Sequence, residues 1–199
     1  MTAPEHPLRR DAARNVERVK AAAIDVFREV GLQAPLEEIA RRAGVSVGTI
    51  YNRFGSREAL IDAVVPDVAA AKLDAVRRTA MEGPDEWERL ARYLEGLCAL
   101  QAEDPALSDV IARAYPDGAT ALARVCSASI DHAATLIDEA HTAGVLRARF
   151  TAADLPALLI ANRALVGAPQ LDPEAWRRML DIVLDGLRAD FGRRPRRGR

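Results

Sequence analysis

Leu36–Leu60 reads LEEIARRAGVSVGTIYNRFGSREAL. Ile39 and Ala40 come one helical turn before a Gly44-Val45 break, and Ile50 and Phe54 fall at i, i+4 on the next segment. Two short helices with that spacing bury one shared face. Ala40 is small enough for close helix contact, Gly44 suits the positive φ of a sharp inter-helix turn, and Ser46 is placed to cap the second helix. Ser56-Arg57-Glu58-Ala59-Leu60 then opens a further helix that clamps the pair. The pattern is a helix-turn-helix, although paired amphipathic helices around a glycine turn also occur in ordinary all-α proteins.

With Ile50 set inward, a turn of about 100° per residue places Gly48 and Asn52 on the far side of the second helix, flanked by Thr49 and Tyr51. A surface of that kind fits a DNA major groove. Gly48 permits close approach to the sugar-phosphate wall, Thr49 and Val47 offer methyl groups to thymine, and Asn52 can pair with adenine. Tyr51 is expected to donate its hydroxyl to a phosphate, which fixes register without reading sequence. Arg53 lies nearer the inner flank and is expected to contact phosphate or to form an intramolecular pair. Ser46 and Arg14 complete the expected DNA-contacting set, with Arg9 and Arg10 along phosphate, in a minor groove or simply solvated.

From Val16 to Leu60 the chain resembles the tetracycline-repressor (TetR) family of bacterial regulators, through VFREVG, EEIARRAGVS, GTIYNRF and SREAL. The resemblance implies an all-α fold: an N-terminal helix-turn-helix domain, then a larger domain that dimerises, holds a small-molecule pocket and changes the separation of two DNA-reading heads. It also implies a homodimeric repressor released from a palindromic double-stranded DNA operator by an effector. Two departures stand out. Where the family often has Thr or Ser opening the first helix of the motif, this chain has Ala34-Pro35-Leu36, followed by Glu37 and Glu38, which repel phosphate. Arg57 stands where the family usually has Lys, and is expected to reach the DNA backbone.

The 199 residues are 49% hydrophobic and carry a net charge of −1. That balance suits a DNA binder only because it is uneven: residues 1–60 hold 10 Lys and Arg against 8 acids, residues 61–190 hold 13 against 21, and residues 191–199 add five Arg and no acid. DNA contact is thereby confined to a small basic edge. Two cysteines give no disulfide framework, and His6, His132 and His141 lie at no recurrent zinc spacing. No metal and no cofactor are expected. Neither a secretory signal nor a membrane-length apolar run is present, so the cytoplasm is the expected location. Nucleophile elbow, P-loop and dinucleotide fingerprints are absent, which argues against an enzyme. An enzyme or a helical scaffold without sequence-specific DNA binding is the alternative.

Apolar spacing predicts helices near 12–30, 36–43, 46–53, 57–82, 85–103, 106–114, 118–143, 152–167 and 173–190. Asp85 with Glu88 has capping-box spacing, Thr151 and Asp172 read as caps, and Pro66 is expected to kink or interrupt its helix. Domains follow as a flexible basic arm (1–11), the helix-turn-helix domain (12–59), a regulatory domain (60–191) and a disordered basic tail (192–199). The apolar faces of the last two helices are expected to pair between copies through Leu155, Leu158, Leu159, Leu165, Leu180, Val183, Leu184 and Leu187, an intramolecular core being the alternative. A largely apolar effector pocket among the central helices takes its candidates from Trp87, Tyr93, Cys98, Tyr115, Cys126, His132 and Asn162, each of which also reads as ordinary core or surface.

Overall fold

The structure, a computed structural model, describes residues 7–112 and 120–189. They form α1 (Pro7–Val30), α2 (Leu36–Ala43), α3 (Val47–Phe54), α4 (Arg57–Met81), α5 (Glu86–Glu103), α6 (Pro105–Ala112), α7 (Ala121–Thr142), α8 (Leu155–Val166) and α9 (Ala175–Leu187), with one 3-10 turn at Ala152–Asp154. Among the described residues the only strand-like pairing is an isolated bridge between Leu146 and Arg188. Because α1 begins at Pro7, residues 7–11 are helical where a flexible arm was expected. Tyr115 and the 192–199 tail lie outside the described residues.

Local chemistry sets most boundaries. Gly44 closes α2 at φ 65°, and the Val45 amide returns to the Ala40 carbonyl at 3.0 Å, a left-handed stop that satisfies the last turn. Ser46 Oγ accepts from Thr49 N at 3.2 Å, Ser56 Oγ from Ala59 N at 3.1 Å, and Asp85 from Glu88 N at 2.8 Å. Thr151 donates through its amide to Asp154 at 2.8 Å, and Asp172 accepts from Glu174 N at 2.9 Å. The caps at Ser46, Asp85 and Thr151 lie where the sequence places them, whereas α9 starts at Ala175 with Glu174 at its N-cap, so the expected Asp172 cap is corrected to a turn contact before the helix.

Two apolar cores share α4 and α7. Val26, Phe27, Ile39, Ile50, Leu60 and Val64 pack with Leu107, Val110 and Leu122, so the helix-turn-helix is seated on α6 and the start of α7. Leu73, Trp87, Leu94, Leu97, Leu136, Trp176 and Leu180 form the second core. The changeover occurs within α4, between Ala69 and Leu73. Pro66 does not interrupt α4, which runs unbroken through it, so of the two expectations, kink or interruption, the interruption is overturned. Proline removes one donor, that facing the Asp62 carbonyl, but packing in the first core holds the helix together across the gap. Further along, a Cβ on Gly96 of α5 would meet Val76 Cγ1 at 2.6 Å, so α4 and α5 approach as closely as they do only over glycine.

The eight residues expected at a dimer surface mostly face inward. Leu155, Leu159, Leu180 and Leu184 are buried in the second core, and Leu158, Leu165 and Leu187 pack against it. Only Val183 stays half-buried without joining that core. Periodicity marks the strongest apolar stripe of a helix without saying whether its own chain covers it; here it does. The outer faces keep a second, weaker stripe: Met179 and Ile182 are exposed on α9, and Ala157, Ala161 and Ala164 on α8.

Candidate nucleic-acid interface and internal cavities

The reading helix is positioned by its neighbours. Ile50 is buried, which turns Gly48, Tyr51, Asn52 and Arg53 outward. Tyr51 is 51% exposed although it is a large aromatic. Around Gly48 a Cβ would meet nothing closer than Ser46 Oγ at 3.7 Å, so the helix start is open. Thr49 is half-buried with its hydroxyl 2.9 Å from Ser46 Oγ, leaving its methyl as the group it can offer. Val47, partly buried like Thr49, packs in part against the first core. Asn15, Val16 and Val19 of α1 line a cleft with Thr49, Asn52, Arg53 and Phe54 of α3.

Cations around this surface divide into engaged and unengaged. Arg18 donates to the carbonyls of Ala43 and Gly44, bracing the turn from α1. Arg42 bonds Glu29 at 2.6 Å and Glu38 at 2.7 Å, tying α2 to α1. Glu38, bonded first by Arg41 and then by Arg42, is held down to about 2. It therefore stays charged and paired, which tempers the phosphate repulsion expected of it. Arg14 and Arg53 are exposed and have no ion-pair partner among the described residues. Of the two expectations for Arg53, the intramolecular pair is the one the structure does not contain.

Arg57 is engaged within the chain. Its Nη1 donates to the carbonyls of Ala34 at 2.5 Å and Leu32 at 3.3 Å, so the guanidinium braces the α1–α2 loop. The Arg57→Ala variant should accordingly lose about 1 to 3 kcal/mol of stability in a denaturant melt, since bonds to a charged donor are lost. Its log-log salt slope for DNA binding should stay that of the parent. A slope flattened by about 0.9 would instead restore the phosphate contact.

One carboxylate beneath that loop connects it to the rest of the molecule. Asp109 of α6 is buried; one oxygen accepts from Leu32 N at 2.8 Å and the other is paired with Arg163 of α8. Gly31 sits directly above at φ 92°, where a Cβ would meet the Asp109 carboxylate at 2.9 Å. Asp104, also buried, caps α6 through Ala106 N at 3.0 Å and Leu107 N at 3.1 Å and bonds Lys72 of α4 at 2.7 Å.

The same α6 and α8 wall an apolar cavity of about 650 Å³, open to solvent and lined by Leu73, Leu97, Val110, Ile111, Cys126, Ser129, Ile130, Leu155, Pro156, Leu159 and Ile160. A more polar cavity of about 490 Å³ adjoins it, with Asp74, Arg77, Tyr93, Ser129 and His132 in its lining. Cys126, Tyr93 and His132 thus stand where a pocket was expected. Trp87, Cys98 and Asn162 line neither cavity. Trp87 is buried in the second core, and Asn162 Nδ2 donates to Cys98 O at 3.2 Å and Gln101 Oε1 at 2.9 Å, locking α8 to α5. Burial pushes the Cys98 thiol up to about 12, and Cys126 up as well, so neither is a reactive thiolate at neutral pH. Most of the missed lining residues are aliphatic and indistinguishable in sequence from core; the missed polar ones are Asp74, Arg77 and Ser129. Asp109 carried a faint signal, an acid inside the apolar run ALSDVIA.

Comparison with known proteins accords with this geometry. Residues 20–64 match the family model for bacterial regulatory proteins of the tetR family, and residues 84–189 match that for the C-terminal domain of SbtR-like transcriptional regulators. The regulatory protein RaaS of Mycobacterium tuberculosis is 29% identical over 169 residues, 85% of this chain and 67% of that protein. The uncharacterized regulator YvdT of Bacillus subtilis is 35% identical over 72 residues, and the match spans 36% of this chain and only 37% of that relative. Among solved structures, the TetR regulator SCO0520 of Streptomyces coelicolor is 30% identical, with 86% of this chain and 97% of that one covered at a TM-score of 0.50. With more than half of its length matched by one family model and its head by another, the chain belongs to the TetR family and is a DNA-binding transcriptional regulator.

Proposed function

We propose that the protein is a homodimeric repressor that reads a palindromic operator with α3 of each copy and is released by a small-molecule effector bound in the adjoining cavities, the apolar one walled by α6 and α8 and the polar one by α4, α5 and α7. The observation that carries the reading is the outward face of α3, where Tyr51 and Asn52 are exposed beside an open Gly48 while Ile50 anchors the helix from behind. In this scheme Asn52 and the Thr49 methyl read bases, and Tyr51, Ser46, Arg53 and Arg14 hold phosphate. Two such helices enter successive major grooves about one helical turn apart or a multiple of it.

The second copy docks on the outer faces of α8 and α9. Met179, Ile182, Val183 and Gly186 recur at helical spacing on one, and the exposed alanines of the other permit close approach. Release uses the Asp109 connection: a ligand that shifts α6 or α8 acts on the Leu32 amide and, through that loop, on α2 and α3. A coupling of about 1 to 3 kcal/mol is typical of such devices. Among the described residues no helix is long and apolar enough to cross a membrane, and a repressor works where its DNA is, in the cytoplasm.

Selection from random double-stranded DNA, run with the parent protein and with a Tyr51→Ala, Asn52→Ala double variant, tests the reading. The parent should enrich a palindromic motif and the double variant should not. A folded parent protein that enriches nothing at low salt would return the chain to the class of interaction modules.

A further inference from the structure

Two cavities sharing a wall differ sharply in chemistry. Leu73 and Ser129 line both. On one side the lining is aliphatic, from Leu97, Val110, Ile111 and Leu155; on the other it holds Asp74, Arg77, Tyr93 and His132. Among the described residues the one buried side-chain nitrogen or oxygen with no hydrogen-bond partner is His132 Nε2, and His132 lines the polar cavity. An unmet polar atom out of water is destabilising until something supplies its bond.

The neighbours define what can supply it. Tyr93 is engaged, its hydroxyl 2.7 Å from Ser129 Oγ and 2.9 Å from the Ser129 carbonyl. Its ring meets His132 edge-on at 5.0 Å between centroids, which fixes the imidazole plane. Arg77 donates to Asp74 through Nε at 3.0 Å and Nη2 at 2.7 Å, and Asp74 also holds Arg78. An anionic ligand would have to displace the Asp74 carboxylate or lie against it. Burial, and then the nearby Arg77, push the His132 pKa down, so the ring is a neutral partner with one donor and one acceptor nitrogen.

We propose that the two cavities accept one elongated, uncharged amphiphile, its apolar body among α5, α6, α7 and α8 and its alcohol or ketone oxygen bonded to His132 Nε2. The assignment rests on the reading that these cavities are the effector site, and adds the ligand class and its orientation.

Calorimetric titration of the full chain with decan-1-ol and with decanoate tests it, using the parent, His132→Phe, His132→Gln and Ile130→Trp, the last filling the apolar chamber from α7. Decan-1-ol should bind the parent at least tenfold more tightly than decanoate. His132→Phe, which keeps the ring contact with Tyr93, should melt no lower than the parent and lose about tenfold in decan-1-ol affinity. His132→Gln should recover part of that loss, and Ile130→Trp should abolish binding. Decanoate binding as tightly as the alcohol, or an alcohol affinity indifferent to His132, overturns the ligand class while a blocking Ile130→Trp leaves the effector site standing. Binding of neither probe, or binding that survives Ile130→Trp, overturns the effector site and the ligand class together.

Discussion

Replacing Ile182 by Glu should convert the protein to a monomer and weaken operator binding by at least about a hundredfold, the loss expected when two linked heads must bind one at a time. Ile182 is the most exposed large apolar side chain of the described residues, at 64%. It lies between Met179 and Gly186 on the outer stripe of α9, so in a two-fold pair it meets its own copy or a near neighbour. Burying a carboxylate there without a partner costs several kcal/mol, and symmetry applies the cost twice. The fold itself should be untouched, because Ile182 contributes nothing to the second core. Light scattering on the eluting peak reads the mass, and operator titration reads the affinity. An Ile182→Glu variant that remains dimeric at micromolar concentration would place the contact on another face.

Asp109→Ala should be strongly destabilising, at about 2 to 3 kcal/mol. Most of this comes from the Leu32 N–H, buried and left without an acceptor. Arg163 contributes less, since its side chain is 44% exposed and water takes over part of the lost pairing. Asp109→Asn keeps an acceptor for Leu32 and should recover most of the stability. Both variants release α8 from the loop above α2, so effector should change operator affinity less in either than in the parent. Denaturant melts and operator titrations with and without effector separate the two effects. An alanine variant within about 0.5 kcal/mol of the parent would show that water replaces the carboxylate and that the connection is not structural.

What could be read in advance was what the chain decides locally. Gly44, Ser46 and Ile50 each act on residues within one turn of themselves, so the turn, the cap and the inward face of α3 followed from spacing alone. Asp109 and Leu32 are 77 positions apart, and no periodicity joins them. The bonds of Arg57 were hidden for a related reason: a cation at a helix start has an evident partner in phosphate, and the carbonyls that hold it are brought there only by the fold of α1 onto α2. The leucines of α8 and α9 illustrate a third case. Their stripe was correctly placed, yet burial within a chain and burial between chains leave the same pattern, and the thinner stripe of Met179 and Ile182 was masked by the charges around it.

Pro66 turns α4 into something other than a rigid strut. The helix belongs to the head core before Ala69 and to the body core from Leu73 onward, and the rung missing from its ladder lies just on the head side of that changeover. Bending there sacrifices no hydrogen bond that a continuous ladder would have to give up. The arm from Pro66 to the helix start at Arg57 is about 13 Å long at 1.5 Å per residue, so it magnifies a small angular change into a displacement of the head. In the proposed two-fold dimer both heads would swing in opposite senses, and their spacing would change by twice what either one moves.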